Sequence, residues 1–271
     1  MKKLLCALLA LCLAALSGCA RADGVLRAAF LEAGAADAIL IQTEHSAVLV
    51  DTGLKKNADE LVAALREAGV ERLDALVITH YDKDHVGGAP AVLENFAVET
   101  IYQPDYVKDG GAYERWQKAL KKTDAQVCTL CADTAFELDG ARWEITAAAQ
   151  RAYKNDESNN FSLVLRLEWG ETSFLLAGDC ERERLAELLE AGVEPCDVLK
   201  VPHHGRLDEM SGAFFEAASP RYAVVTSDED EPEDAETLAL LEALGARVLL
   251  TRQGVQTFTS DGTTVAPAAK N

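Results

Sequence analysis

Basic residues and long apolar runs are scarce in this chain, and each scarcity removes a class of function. No apolar run reaches the ~18–20 residues that a membrane-spanning helix needs. Lys and Arg number 26 against 45 Asp and Glu, for a net charge of −19. Tight, non-specific binding to nucleic acid or anionic membrane rests on Lys and Arg neutralising phosphates, so a polyanion-coating protein is excluded. An enzyme that touches one phosphate at a metal site is not. No internal repeat of fixed period and no low-complexity linker interrupt the chain. What is present is 271 residues of 49% hydrophobic content, ample for a buried core and too apolar for disorder.

The opening segment MKKLLCALLALCLAALSGCA is expected to stand outside the fold. Lys2 and Lys3 form a positive start, and Leu4 to Leu16 has the length of a signal-peptide apolar region. Leu16-Ser17-Gly18-Cys19 looks like a bacterial lipobox, which implies a signal peptide at 1–18 and a lipid on Cys19. A short tether at 19–24, one domain at 25–265 and a tail at 266–271 complete the expected organisation. The chain is then exported and faces outside the cytoplasm, held to the envelope membrane through its N-terminal lipid only. Loss of the two lysines leaves a net charge of about −21. Four cysteines remain, Cys128, Cys131, Cys180 and Cys196, open to small buried thiols, to disulfides or to a metal or redox role.

From about Val25, short β-rich runs alternate with amphipathic helices. Residues 37–42 and 47–50 are apolar runs around the polar turn Thr43-Glu44-His45-Ser46, which predicts a hairpin. A helix from Asn57 carries Leu61, Leu65 and Ala68 and stops at Gly69. LDALVIT (73–79) is a nearly continuous apolar strand of the kind buried on both faces. Further helices are expected at 90–96, 112–122, 181–191 and 234–244. Strands are expected at 142–148, 161–168, 172–177, 197–201, 222–226, 247–251 and 255–259. The whole reads as one α/β domain. The run Asp228 to Glu236, with seven acids in nine residues, reads as a solvated loop.

Four of the five histidines fall in two clusters, each just after an apolar strand. LDALVIT is followed by His80-Tyr81-Asp82-Lys83-Asp84-His85-Val86-Gly87-Gly88, and CDVLKVP by His203-His204-Gly205. A third strand, SFLLAG, ends at Asp179. Strand C-termini are where α/β sheets place ligands. Two imidazoles and two carboxylates within six residues do not suit an apolar core, because buried carboxylates repel and one would hold its proton. A divalent cation removes that cost. His80 and Asp82 can face one ion while Asp84 and His85 turn toward a second, and Gly87-Gly88 lets the backbone bend behind them. Two ions roughly 3.5–4 Å apart can share a hydroxide and clamp a scissile oxygen.

These residues resemble the metallo-β-lactamase fold, which carries His-x-His-x-Asp-His after a buried strand; here it is His80-x-Asp82-x-Asp84-His85. Asp in place of the second His is similar to the hydrolase domain of ComEC-type competence proteins. Ala35-Ala36-Asp37-Ala38, Leu49-Val50-Asp51-Thr52-Gly53, Asn159-Asn160-Phe161-Ser162, Leu176-Ala177-Gly178-Asp179 and Pro202-His203-His204-Gly205 match that branch in order, over roughly residues 25–260. The resemblance implies an αββα four-layer sandwich with a dinuclear site at one edge, holding Zn²⁺ or Mn²⁺. It implies His80, Asp82, Asp84, His85, Asp179 and His203 as ligands, with Asp179 as the bridge.

Asp84 and His204 are the candidate catalytic groups, His204 being able to exchange roles with His203. Asp51, Asp37 and Asn160 are support, Asp51 bracing the ligand loop through hydrogen bonds. Lys200 is the weak candidate for a substrate anion, its ammonium expected to snorkel to solvent. The chain departs from the ComEC branch at Arg206, where Ser is usual, and at Asp230-Glu231-Pro232, where a late Gly-His-Pro is usual. The expected function is a lipid-anchored, metal-dependent phosphodiesterase acting on a small or polymeric phosphodiester without a strong nucleic-acid surface. The alternatives are a lactone or ester hydrolase and a non-catalytic accessory lipoprotein with a residual metal site.

Overall fold

A computed structural model describes residues 24–154 and 158–268. The expected signal peptide, most of the tether, Cys19 and the last three residues of the expected tail lie outside the described residues. Among those described, no helix is long and apolar enough to cross a membrane.

The first half of the chain supplies β1 (Leu26–Phe30), β2 (Ile39–Gln42), β3 (Ala47–Val50), β4 (Arg72–Val77), β5 (Ala97–Pro104) and β6 (Gln126–Leu130). The second supplies β7 (Thr134–Leu138), β8 (Ala141–Thr146), β9 (Val164–Trp169), β10 (Thr172–Leu176), β11 (Val198–Lys200), β12 (Tyr222–Val225) and β13 (Arg247–Leu250). Then β14 (Gln256–Ser260) and β15 (Val265–Pro267) return to the first sheet. The strand order is β15-β14-β1-β2-β3-β4-β5-β6 in one sheet and β13-β12-β11-β10-β9-β8-β7 in the other. Strand β15 runs through Pro267, so the sheet takes in residues expected in the tail.

Helices α1 (Ala58–Glu67), α2 (Lys83–Val86), α3 (Ala89–Asn95) and α4 (Gly111–Leu120) cover the first sheet. Helices α5 (Arg182–Ala191), α6 (Ser211–Ala218) and α7 (Ala235–Ala243) cover the second. Three apolar clusters fill the gaps between these layers. Val77, Trp143, Leu165, Phe174 and Phe258 pack between the sheets. Leu65, Leu76, Val92 and Trp116 pack under the first helical layer, and Leu185, Leu199, Phe214 and Leu241 under the second. This is the αββα sandwich. The expected hairpin forms between β2 and β3, antiparallel, with Leu40 opposite Leu49.

Strand β4 is central and parallel to both neighbours, β3 and β5, which explains its unbroken apolar run. Leu73 and Leu76 feed the helix side while Ala75 and Val77 feed the inter-sheet side. Beyond β4 the chain folds back tightly onto the loop after β3. A Cβ on Gly87 would lie 2.2 Å from the Lys83 carbonyl oxygen and 2.7 Å from that of Gly53, and one on Gly88 would lie 2.3 Å from the Thr52 carbonyl. Only glycine permits that approach. It brings the Asp51 loop and the Asp84–His85 turn into direct contact.

Candidate metal centre

The C-terminal ends of β4, β10 and β11 converge with the loop after β3. Asp84, His85, Asp179 and His204 each offer a ligand atom, and all four atoms lie within 4.8 Å of one another. His85, Asp179 and His204 are buried; Asp84 is about one-fifth exposed.

Each histidine of the centre is oriented by its Nδ1. His85 Nδ1 donates to Asp51 Oδ2 at 2.8 Å. His204 Nδ1 lies 2.9 Å from the Thr226 carbonyl oxygen, to which it donates. The Thr79 hydroxyl donates to Asp51 Oδ2 at 2.6 Å, so it accepts from His80 Nδ1 at 3.1 Å. His85 and His204 therefore present Nε2 to the shared space, and His80 presents its own toward Asp82. His80, His85 and His204 Nε2 are all buried without a hydrogen-bond partner. Asp179 Oδ2 lies 3.1 Å from both His85 Nε2 and His204 Nε2, close enough to attract but off the direction of either ring N–H. Orphaned imidazole nitrogens beside carboxylates are a donor set that fits a divalent cation. One ion suits Asp84, His85, Asp179 and His204.

The electrostatics agree. Burial, aided by the neighbouring His85, pushes His80 down to about 4, leaving it neutral and ready to ligate. Burial works against charge on His204, yet Asp179 and Asp84 raise it to about 9. Burial likewise opposes the charge on His85, and Asp179 and Asp51 raise it well above the usual value. Asp179 resists burial through His204, His85 and Lys200, which hold it well below the carboxylate range. Asp84 is also lowered, His204 and His85 outweighing its burial. The carboxylates stay ionised, with charged imidazoles standing where a cation would release their protons.

Three positions differ from the sequence reading. His204, not His203, joins the cluster. Both residues adopt left-handed backbone, at φ 53° and φ 47°, and consecutive side chains there diverge. His203 Nδ1 instead lies 3.2 Å from Glu181 Oε1, and Asn159 Nδ2 lies 3.5 Å from its Nε2. Gly205 completes the turn at φ +81°, where a Cβ would meet Glu233 Cβ at 2.8 Å.

Lys200 does not snorkel. It is wholly buried, its Nζ 2.6 Å from Asp37 Oδ2, 2.8 Å from the Gly178 carbonyl and 3.2 Å from Asp179 Oδ1. Burial disfavours its charge, but Asp37 and Asp179 hold it protonated above the usual lysine value. It therefore cannot meet a substrate. Asp82 is the third, and differs in its partners rather than its place, since it stays beside His80. Its Oδ1 lies 3.8 Å from His80 Nε2 and is held by the Lys108 ammonium and the Ser158 hydroxyl. Burial raises Asp82, but His80, Lys108 and Ser158 hold it below the usual range.

The supporting residues divide. Asp51 accepts from the Thr79 amide at 2.8 Å and carries His85, as a brace should. Asp37 is buried, takes the Thr226 hydroxyl at 2.6 Å and pairs with Lys200. Asn160 serves α5 instead, accepting from the Arg184 amide and donating to Glu183 at 3.1 Å each. The acidic run 228–236 is not wholly solvated: Glu233 is buried, taking Ser227 Oγ at 2.5 Å and Arg252 Nη2 at 3.0 Å. All four described cysteines are free thiols. Sequence reasoning missed Thr226, Lys108 and Ser158, which stand in no motif.

Known proteins share this architecture. The chain is 33% identical over 199 residues to Competence protein ComA of Neisseria gonorrhoeae, covering 72% of this chain and 26% of that one. It is 26% identical over 245 residues to ComE operon protein 3 of Bacillus subtilis (strain 168), covering 82% and 31%. It thus spans less than a third of either relative's length. The metallo-beta-lactamase fold protein YhfI from Bacillus subtilis superposes with a TM-score of 0.57 at 14% identity, covering 84% of this chain and 96% of that one. A diphosphatase of the PhnP family does so at 0.53 and 17% identity, covering 87% and 98%. Both show the fold. The model of the Metallo-beta-lactamase superfamily matches residues 31–226, from the end of β1 through β12 and across every loop of the centre. The chain belongs to that superfamily.

Proposed function

We propose that this protein is an exported, lipid-anchored metal-dependent phosphodiesterase. The observation that carries the reading is the convergence of two partnerless, buried imidazole Nε2 atoms, those of His85 and His204, on Asp84 and Asp179, with a third, that of His80, beside Asp82. Two divalent cations, Zn²⁺ or Mn²⁺, would be held by Asp84, His85, Asp179 and His204 on one side and by His80 and Asp82 on the other. When bound they would acidify a water and neutralise charge on the phosphoryl oxygens. Asp51 and Thr226 would keep His85 and His204 in the ligating tautomer. Asp179, with one oxygen on Lys200, would offer the other to the centre. The two competence relatives support a phosphodiester substrate. The net charge of −19 favours a short or single diester over a long duplex track. Lipid on Cys19 would place the domain outside the cytoplasm.

The test takes the full-length chain in detergent, loads it with Mn²⁺ or Zn²⁺ and counts bound metal by mass spectrometry. Turnover of bis(p-nitrophenyl) phosphate is compared with that of a lactone. Two ions per chain and diester cleavage, both reduced in His85→Ala, are the expected result. Lactone turnover alone would move the reading to an ester hydrolase of the same fold. Absence of stoichiometric metal would leave an accessory protein. Palmitate labelling that Cys19→Ala abolishes would establish the anchor.

A further inference from the structure

Two ammonium groups touch candidate ligand carboxylates among the described residues: Lys200 on Asp179 and Lys108 on Asp82. Lys200 is enclosed. The Lys108 side chain is 28% exposed and Asp82 31%, whereas His80 and His85 are fully buried. The centre is therefore open on its Asp82 side, as it is to a lesser degree at Asp84, and among the described residues Lys108 is the ammonium paired there.

Lys108 is held in place by its own loop. Two residues before it, Tyr106 stacks on Phe161 with ring centroids 4.3 Å apart and packs against Tyr81 at 4.7 Å. The Tyr106 hydroxyl accepts from the Tyr81 amide at 2.7 Å and lies 2.8 Å from Ser158 Oγ. The same anchor thus fixes the loop, the residue before Asp82 and the serine that shares Asp82 Oδ1 with Lys108. The next residue, Val107, is 81% exposed, so the loop crosses from core to solvent at Lys108.

We propose that Lys108 is the specificity residue that binds the anionic oxygen of the substrate, with Ser158 beside it. The inference rests on the phosphodiesterase reading. Asp82 Oδ1 has two claimants in this structure, the Lys108–Ser158 pair and the side of His80 Nε2, 3.8 Å away. A carboxylate oxygen engaged toward His80 gives up part of its hold on Lys108. The ammonium at the mouth of the centre is then partly freed, and a phosphoryl oxygen is its natural partner. A neutral ester offers no such oxygen, so Lys108 discriminates by charge.

The experiment compares the wild-type, Lys108→Met and Lys108→Arg full-length chains, each metal-loaded. Metal content is counted first, and inorganic phosphate binding is then measured by calorimetry. Expected is unchanged metal content, with phosphate binding weakened roughly tenfold or more in Lys108→Met and restored in Lys108→Arg. KM for bis(p-nitrophenyl) phosphate should rise by more than kcat falls, and any p-nitrophenyl acetate hydrolysis should be affected less. Equal phosphate binding by wild type and Lys108→Met would overturn the inference. So would parallel loss of both substrates, which marks a structural role. Wild-type phosphate binding that depends on Lys108, without diester turnover, would retain the anion site while refuting the phosphodiesterase reading.

Discussion

Lys200 and Asp179 divide the work of one carboxylate: Lys200 Nζ holds Oδ1 at 3.2 Å, and Oδ2 lies 3.1 Å from both His85 and His204. The ammonium offsets charge that burial would otherwise make expensive, and leaves a single oxygen to face the centre.

Removing that ammonium strands two buried carboxylates, Asp37 and Asp179. Lys200→Met should destabilise the fold by about 3–5 kcal/mol. Urea unfolding checks this. Adding Asp37→Asn to Lys200→Met should recover part of the loss, because one stranded charge is then gone. Additive losses would show that the pair is not coupled.

The two adjacent histidines should separate cleanly by metal content. His204→Ala should lose bound metal, whereas His203→Ala should keep it, since His203 faces Glu181 and Asn159. Asp51→Asn should weaken metal affinity by about 10–100-fold through loss of the His85 brace. Equilibrium dialysis of the three variants measures all of this. Metal loss in His203→Ala alone would reverse the assignment.

Cysteine reactivity offers an independent check on packing. Burial pushes the Cys180 and Cys196 thiols up to about 12, so both stay protonated at pH 8. A brief iodoacetamide pulse followed by peptide mapping should label Cys131, which is exposed, and Cys128, which is partly so. Cys180 and Cys196 should label only in denaturant.

Glu233 makes a pH prediction. Burial raises its pKa, but bonds from Arg252 and Ser227 hold it below the usual range. A depressed folded value means stability that is present above the unfolded pKa, roughly 4.3, and lost as pH falls through the folded one. Glu233→Gln should therefore lower Tm by a few degrees at pH 7, and the gap should close on acidification below about pH 4. A gap that persists at low pH would place the effect in packing.

Much of this molecule was legible in the sequence because its chemistry sits at strand ends. His80, Asp84, His85 and Asp179 follow buried apolar strands, and local spacing suffices to group them. His203 and His204 could not be ordered, since the choice depends on backbone torsions of φ 47° and 53° that no side-chain pattern reports. Lys200 misled for a different reason. It shares a face of β11 with Val198, which packs between the sheets, and its partners come from distant segments. Strands β6 and β7 went unread because each ends its sheet and is at most half-buried, so neither carries a strong apolar pattern. Helix α6, SGAFFEAA, has small and apolar residues with no polar stripe to mark its period.

The bond from Thr226 to Asp37 joins residues 189 positions apart, and Asp228 accepts the Ala35 amide across 193. The centre thus closes only when both ends of the domain have met. Contacts of such separation form late in folding, because loop entropy must be overcome first. A cation that needs this closed site is expected to bind the folded chain, unlike the cation of a zinc finger, which folds its domain. Binding then stabilises the native state by mass action alone, so a chelator should lower the melting point of the whole domain rather than loosen one loop.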